Sequence, residues 1–371
     1  MSYVNFFDEK VFRLFNLLFY LIITSAFAEE PAFFKEFTIA NDFNSGYQVV
    51  AHDIDYDGKK DLIALDSRMG ELVWFKNPKW ERHVLADGLS RMINLTVCGD
   101  FRVVAQRFSN RVDESVGEVV VIMRDGSKRV IDRLSTSHRL RCANIDNLGD
   151  EVVINAPLIG VRAKQPDFRD HVPLVYYRLG EWKRHLISEE NEGVMHGIYL
   201  HDWNSDGYDD ILTASFSGVH VYSKQEEWQR TEITKGYPGE WPKVGSSDIA
   251  VGNADGRFIA SIEPFHGHQV VVYKNGKRLV IDDTLVQGHT IATADLNADE
   301  KDEIIAGYRG DGQSVYIYYS ENGSWKRTIL DNGDMAAASC IVVDLNSDTR
   351  LDIACIGRAT HNLKWYENQA R

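Results

Sequence analysis

Cysteine is scarce in this chain of 371 residues, which has four. That is too few to staple a disulfide scaffold, and the spacing is not that of a zinc ribbon. Cys340 and Cys355 flank one acidic segment and could meet across a hairpin; buried free thiols are the open alternative. There is no basic run, and the net charge is −14. An acidic chain of this kind excludes nucleic acid as the expected partner. No linker or low-complexity stretch divides the sequence, and no hydrophobic run after residue 28 is long enough to span a bilayer. A nucleophile elbow, a phosphate loop and the HExxH pattern are all absent.

The apolar run that does occur is at the start. Lys10 and Arg13 precede it, it covers residues 14–24, and Ala26-Phe27-Ala28 offers small residues where a signal peptidase reads. The run is short for a membrane span and reads as a secretory signal over residues 1–28. An uncleaved anchor is the alternative. Residues 29–371 then form one mature domain, secreted or periplasmic, with no stable membrane insertion after cleavage.

One phrase recurs along that domain: HDIDYDGKKDLIA at residues 52–64, HDWNSDGYDDILTA at 201–214, ADLNADEKDEIIA at 294–306 and VDLNSDTRLDIA at 343–354. Weaker copies stand near Cys98, Asn144 and Gly252. A second marker is an alternating strand such as LVWFKN at Leu72, VVVYKN at Val271 or LKWYEN at Leu363. It occurs seven times at intervals of about fifty residues. Repeats of this length, rich in Val, Ile, Tyr and Trp with period-two alternation, specify propeller blades of four short strands. The seventh unit ends before its last strand, and FFKEFTI at residues 33–39 resembles the missing piece. The expected fold is therefore all-β: a seven-bladed β-propeller of four-stranded blades, its ring closed by the N-terminal strand.

In the best copies, carboxylates and amides alternate in a tight turn: Asp53, Asp55, Asp57 and Asp61, then Asp202, Asn204, Asp206 and Asp210. Two further sets are Asp295, Asn297, Asp299 and Glu303, and Asp344, Asn346, Asp348 and Asp352. Oxygen-only ligands at alternate positions suit a hard cation, calcium first. These loops resemble those of the FG-GAP and VCBS repeat family, whose blades carry calcium in this turn. The literal FG and GAP words are absent, which places the chain nearer the VCBS branch.

The turns join first and second strands and so mark one face of the disc. The starts of the first strands lie toward the other. Six residues before the first ligand of each turn stand Tyr47, His138, His196, His289 and Ala338, with Asn94 on a looser alignment. With 12 histidines in the whole chain, three at equivalent positions point to a ring at the channel mouth. Loops predicted on the same face add His266 and His268 in EPFHGHQ, and Arg162, Arg309 and Arg358. Imidazoles can transfer protons or ligate metals, and His266-x-His268 on an extended segment would form a two-histidine half-site. Tyr47, His138, His196 and His289 are the candidate catalytic residues. The three arginines are candidate substrate contacts. The histidine-lined mouth could hold zinc, manganese or magnesium.

The W-x-R-H-x-I strand, the stretch FHGHQVVVY and the following GHTIATADLN together resemble the propeller domain of fungal aldos-2-ulose dehydratase. That resemblance implies a carbohydrate-active lyase or dehydratase. It would act by β-elimination on a sugar-derived ketone or uronate, so that the partner is a carbohydrate or sugar-derived small molecule. No counterpart of that family's cupin domains occurs in these residues. The alternative is a non-catalytic, calcium-stabilised propeller that binds glycan or protein through the same face.

Overall fold

The computed structural model describes residues 33–149 and 151–370. The signal expected over residues 1–28 lies outside them. The described residues form seven four-stranded antiparallel sheets and one short 3-10 helix, Val112–Glu114. The protein is a seven-bladed β-propeller. No helix among the described residues is long and apolar enough to cross a membrane.

The first strands of the blades are Gly46–His52, Asn94–Cys98, Ser137–Ala143, Met195–His201, Asp248–Asn253, Gly288–Ala294 and Ala337–Val343. Neighbouring blades meet largely through these inner strands, which surround the channel. Second strands are covered by blades on both faces. Asp61–Asp66, Val152–Pro157, Asp210–Ser215, Glu303–Tyr308 and Asp352–Gly357 are accordingly buried at every position. That is why they read as unbroken apolar runs rather than alternating ones. Fourth strands such as Trp228–Thr234 lie at the rim and are mostly exposed.

Phe34–Ala40 pairs antiparallel with Leu363–Asn368 and supplies the outer strand of the last blade. Phe37 sits opposite Trp365, with ring centroids 4.9 Å apart. The first and last described strands thus close the ring by completing the seventh blade.

A second device ties blade to blade. An acid on one blade's fourth strand receives a tyrosine hydroxyl from the next blade's third strand and a cation from the same neighbour. Asp132 takes Tyr177 at 2.6 Å and Arg184 Nε at 2.7 Å. Asp282 takes Tyr318 at 2.9 Å and Arg327 at 2.8 Å. Asp331 takes Tyr366 at 2.7 Å and Lys364 at 2.8 Å. These latches explain the tyrosines that recur in the third-strand motif.

All four cysteines are paired, which resolves the alternatives left open by the sequence. Cys340 and Cys355 face each other across adjacent strands of one blade. Cys98 and Cys142 join the inner strands of the second and third blades. They rule out buried free thiols.

Candidate functional site

The inner strands are not regular. In five blades the ladder skips one residue: Tyr47, His138, His196, His289 and Ala338. Each is the extra residue of a β-bulge, which bends its strand and re-aims its side chain. These are the five positions that stand six residues before the acidic turns. The second blade, whose turn is eroded, has no bulge at Asn94, which pairs regularly with Ala105.

The bulged side chains meet around the channel axis. Ring centroids are 5.1 Å apart for His138 and His196, 5.1 Å for His196 and His289, and 5.5 Å for His289 and Tyr47. The Tyr47 hydroxyl shares a 3.2 Å hydrogen bond with His138 Nε2. His266 comes from the loop between the second and third strands of the fifth blade. It lies 4.8 Å from His196 and 5.2 Å from His289, with Phe265 stacked on it at 4.0 Å.

The hydrogen bonds of these rings set their chemistry. His196 Nδ1 donates to the Ser247 carbonyl at 3.0 Å, and His289 Nδ1 donates to the Ala338 carbonyl at 2.6 Å. Each Nε2 therefore carries a lone pair. His289 Nε2 is buried without a hydrogen-bond partner among the described residues, and His196 Nε2 lies 3.3 Å from His266 Nε2 and 3.5 Å from Arg139 Nη2. One ring nitrogen from each of His196, His266 and His289 falls within 4.8 Å of the others. Burial, reinforced by the nearby Arg139 and Arg309 guanidiniums, holds His196 and His289 far below the usual imidazole range. Burial brings His266 to about 3, with Arg309 contributing. Neutral rings, outer nitrogens fixed by backbone carbonyls and an orphaned inward nitrogen together fit a transition-metal ligand set.

The cavity above the ring measures about 520 Å³. Among the described residues no aspartate or glutamate lines it, whereas Arg68, Arg91, Arg309 and Arg358 do. Arg309 is the innermost of these, and its Nε is buried without a partner among the described residues. Burial and the neighbouring Arg358 and Arg139 bring it down to about 10, so it stays charged at neutral pH. Phe108, Phe168 and Phe265 supply apolar wall.

Two sequence expectations fail here. Arg162 does not reach the mouth. Its guanidinium folds back on Asp170 of its own loop, at 2.9 and 3.2 Å, and its side chain is 75 % exposed. Phe168 of that insertion lines the cavity instead. His268 does not pair with His266, because the segment turns where an extended one was expected. His266 has φ +45°, and His268 ends exposed beside Tyr237. The sequence reading also missed Ser247, whose hydroxyl accepts the His266 amide at 3.1 Å. Counting back six from Asn253 of the eroded fifth turn would have found it.

The acidic turns lie toward the other end of the inner strands and share one pattern. The first acid accepts two backbone amides of its own turn. Asp202 takes those of Asp206 and Gly207, and Asp295 those of Asp299 and Glu300. The last acid is buried beneath, as Asp61, Asp210, Glu303 and Asp352 show. Burial lifts all four, Glu303 to about 8, and neighbouring carboxylates add to the rise. Such uncompensated negative charge fits a cation. Among the described residues, the first turn alone brings three acids together, with oxygens of Asp53, Asp55 and Asp61 within 4.8 Å of one another. In the first blade Lys76 contacts Asp55 and Asp57, and in the seventh Arg350 contacts Asp348.

Acid should weaken the metal-free protein. Buried His138, His196, His266 and His289 protonate below 6.5 only after unfolding, so the unfolded state binds more protons. The contribution of these rings is full above 6.5 and falls as pH drops toward about 3, the value of His266, while Glu303, lifted to about 8, contributes with the opposite sign. The slope is about 1.4 kcal/mol per pH unit for each ring that stays neutral. Urea midpoints of chelator-treated protein between pH 7 and 4 measure it, and a flat profile would contradict the burial of these rings.

The family model for the β-propeller domain of aldos-2-ulose dehydratase matches residues 117–276, a span that holds His138, His196, Ser247 and His266. The FG-GAP-like repeat model matches residues 295–355. Both resemblances read from the sequence are thereby supported. No curated protein matches the chain. Among solved structures, a gluconolactonase from Xanthomonas campestris is 10% identical with a TM-score of 0.50, over 90% of each chain. A streptogramin B lyase is 10% identical with a TM-score of 0.58, over 91% of this chain and 98% of that one. At such identity the likeness is one of fold.

Proposed function

We propose that this propeller is an exported carbohydrate-active lyase or dehydratase that works at the histidine-lined mouth. It would perform β-elimination on a sugar-derived ketone or uronate. The carrying observation is the mouth itself: converging neutral imidazoles beneath arginines, with no lining carboxylate. The match to the aldos-2-ulose dehydratase propeller supports the carbohydrate reading. The charge of the mouth favours the uronate, since a buried guanidinium such as Arg309 gains most from a carboxylate.

His196, His266 and His289 would hold a divalent metal, and three imidazoles suit zinc better than magnesium. Such an ion would supply Lewis-acid stabilisation of negative charge on the substrate's carbonyl or carboxylate oxygen. This moves His196 and His289 from the proton-transfer role expected from the sequence to that of ligands. Arg309 and Arg358 would orient the substrate's acid group. The Tyr47–His138 pair would then move the protons. The imidazole takes the proton from the carbon next to the carboxylate, the β carbon–oxygen bond breaks as the double bond forms, and the phenol protonates the departing oxygen. A bound anion raises the affinity of His138 for that proton.

Calcium in the turns of the fourth and sixth blades, and in those of the first and seventh, would be structural. Two disulfides fit an oxidising compartment, in line with a secreted or periplasmic protein. One observation favours the non-catalytic reading. Phe108, Phe168 and Phe265 offer the aromatic surface that a glycan-binding module uses.

Incubation with uronate oligosaccharides and with neutral anhydroketoses decides between them. Rising ultraviolet absorbance from an unsaturated product, together with calcium and about one transition metal per chain, is the expected result. Saturable binding with no absorbance change across the panel would overturn the lyase.

A further inference from the structure

The channel has a second chamber at the end toward the acidic turns. It measures about 500 Å³ and is walled by the inner strands of all seven blades. Most of its polar groups are already satisfied by bonds between blades. The Gln48 amide is bonded both ways to the Leu95 main chain at 3.0 and 2.6 Å, and Thr96 and Thr290 accept the Cys142 and Cys340 amides. Three charged side chains remain: Arg139, Arg141 and Asp248.

The two guanidiniums stand two residues apart on one strand and face the same space. Arg139 is 6 % exposed. It donates Nε–H to the His196 carbonyl at 2.8 Å, and Arg141 donates to the Leu140 carbonyl at 2.9 Å. Neither has a carboxylate within 4.0 Å among the described residues. Asp248 stands farther off, and burial lifts it to about 6 against the pull of Arg139 and Arg141. Burial and the adjacent Arg139 bring Arg141 down to about 10. Several other partly buried guanidiniums are paired: Arg230 with Glu192 at 2.7 Å, Arg278 with Glu263 at 2.7 Å, Arg178 with Asp146. One buried and one half-buried positive charge facing one more distant carboxylate leave the chamber electropositive inside an acidic protein. A buried charge persists when something pairs it.

We propose that this chamber binds a small oxyanion, a phosphate or a carboxylate, held between the forks of Arg139 and Arg141. Two guanidiniums present parallel N–H donors that match the oxygens of such an ion. The site adjoins the mouth through Arg139, whose Nη2 lies 3.5 Å from His196 Nε2, whereas Arg141 lines only this chamber and Arg309 only the other cavity.

Calorimetric titration of the full protein with inorganic phosphate, and separately with malonate, tests this. The expected result is saturable binding of at least one of them, weakened about tenfold or more in Arg141→Gln. Arg141→Lys should fall between, since it keeps the charge and loses the fork. Arg309→Gln should leave this binding in place. Tighter binding of phosphate than malonate assigns the ion as a phosphate, and the reverse assigns a carboxylate. Absence of saturable binding, equal binding by Arg141→Gln, or loss in Arg309→Gln alone would overturn the proposal.

Discussion

Replacing His266 with alanine is expected to remove one transition metal per chain and to lower turnover at the mouth by about 10²–10⁴-fold. Three nitrogens converge within 4.8 Å, and His266 is the one delivered by a loop rather than by an inner strand. Truncating it therefore breaks the ligand set without altering an inner strand. Two imidazoles remain, too few for a catalytic site built on three protein ligands. The matched control is His268→Ala, two residues away and exposed beside Tyr237, which should change neither metal content nor rate. Metal content by mass spectrometry is the primary readout, because it holds whatever the substrate proves to be. Unchanged metal in His266→Ala, or equal loss in His268→Ala, would refute the three-histidine assignment.

Asp331→Ala should destabilise the fold by about 3–5 kcal/mol, the cost of leaving one member of a buried pair alone. The Lys364 side chain is 4 % exposed and the Asp331 side chain 1 %. Lys364 keeps a second contact with Glu36, 2.8 Å away, but that carboxylate is 46 % exposed and screened by water. The Tyr366 hydroxyl loses its partner as well. The site also joins the sixth blade to the blade that the N-terminal strand completes, so the damage falls at the closure of the ring. Combining Asp331→Asn with Lys364→Met should recover much of the loss, since the stranded charge then disappears. Urea midpoints of the single and double variants measure both effects. A loss below about 1 kcal/mol for Asp331→Ala would show that the latch is only surface electrostatics.

The blade count was legible because a four-stranded blade repeats its alternation. LKWYEN at Leu363 without a following strand, against FFKEFTI near the start, was enough to infer the closure that Phe34–Ala40 makes. The candidate site was legible in part. The acidic turn sits at a fixed distance from the channel, so counting back six reached Tyr47, His138, His196 and His289. The same count stopped short at Ser247, because the fifth turn has lost its acids. Loops carry no such ruler. Arg162 and His268 were misplaced since nothing local records where a loop side chain turns, and Arg162 found Asp170 within its own insertion.

Local pattern thus determined the architecture and the period. Strand alternation and turn chemistry act over a few residues and repeat with the blade, so they can be read one unit at a time. Tertiary structure decided the chemistry. The bulges that aim five side chains inward arise where two strands fall out of register. The meeting of His196, His266 and His289 joins three blades. The unpaired charge of Arg139, Arg141 and Arg309 depends on what every blade leaves out of the channel. Burial and convergence are properties of the closed ring, and no single repeat contains them.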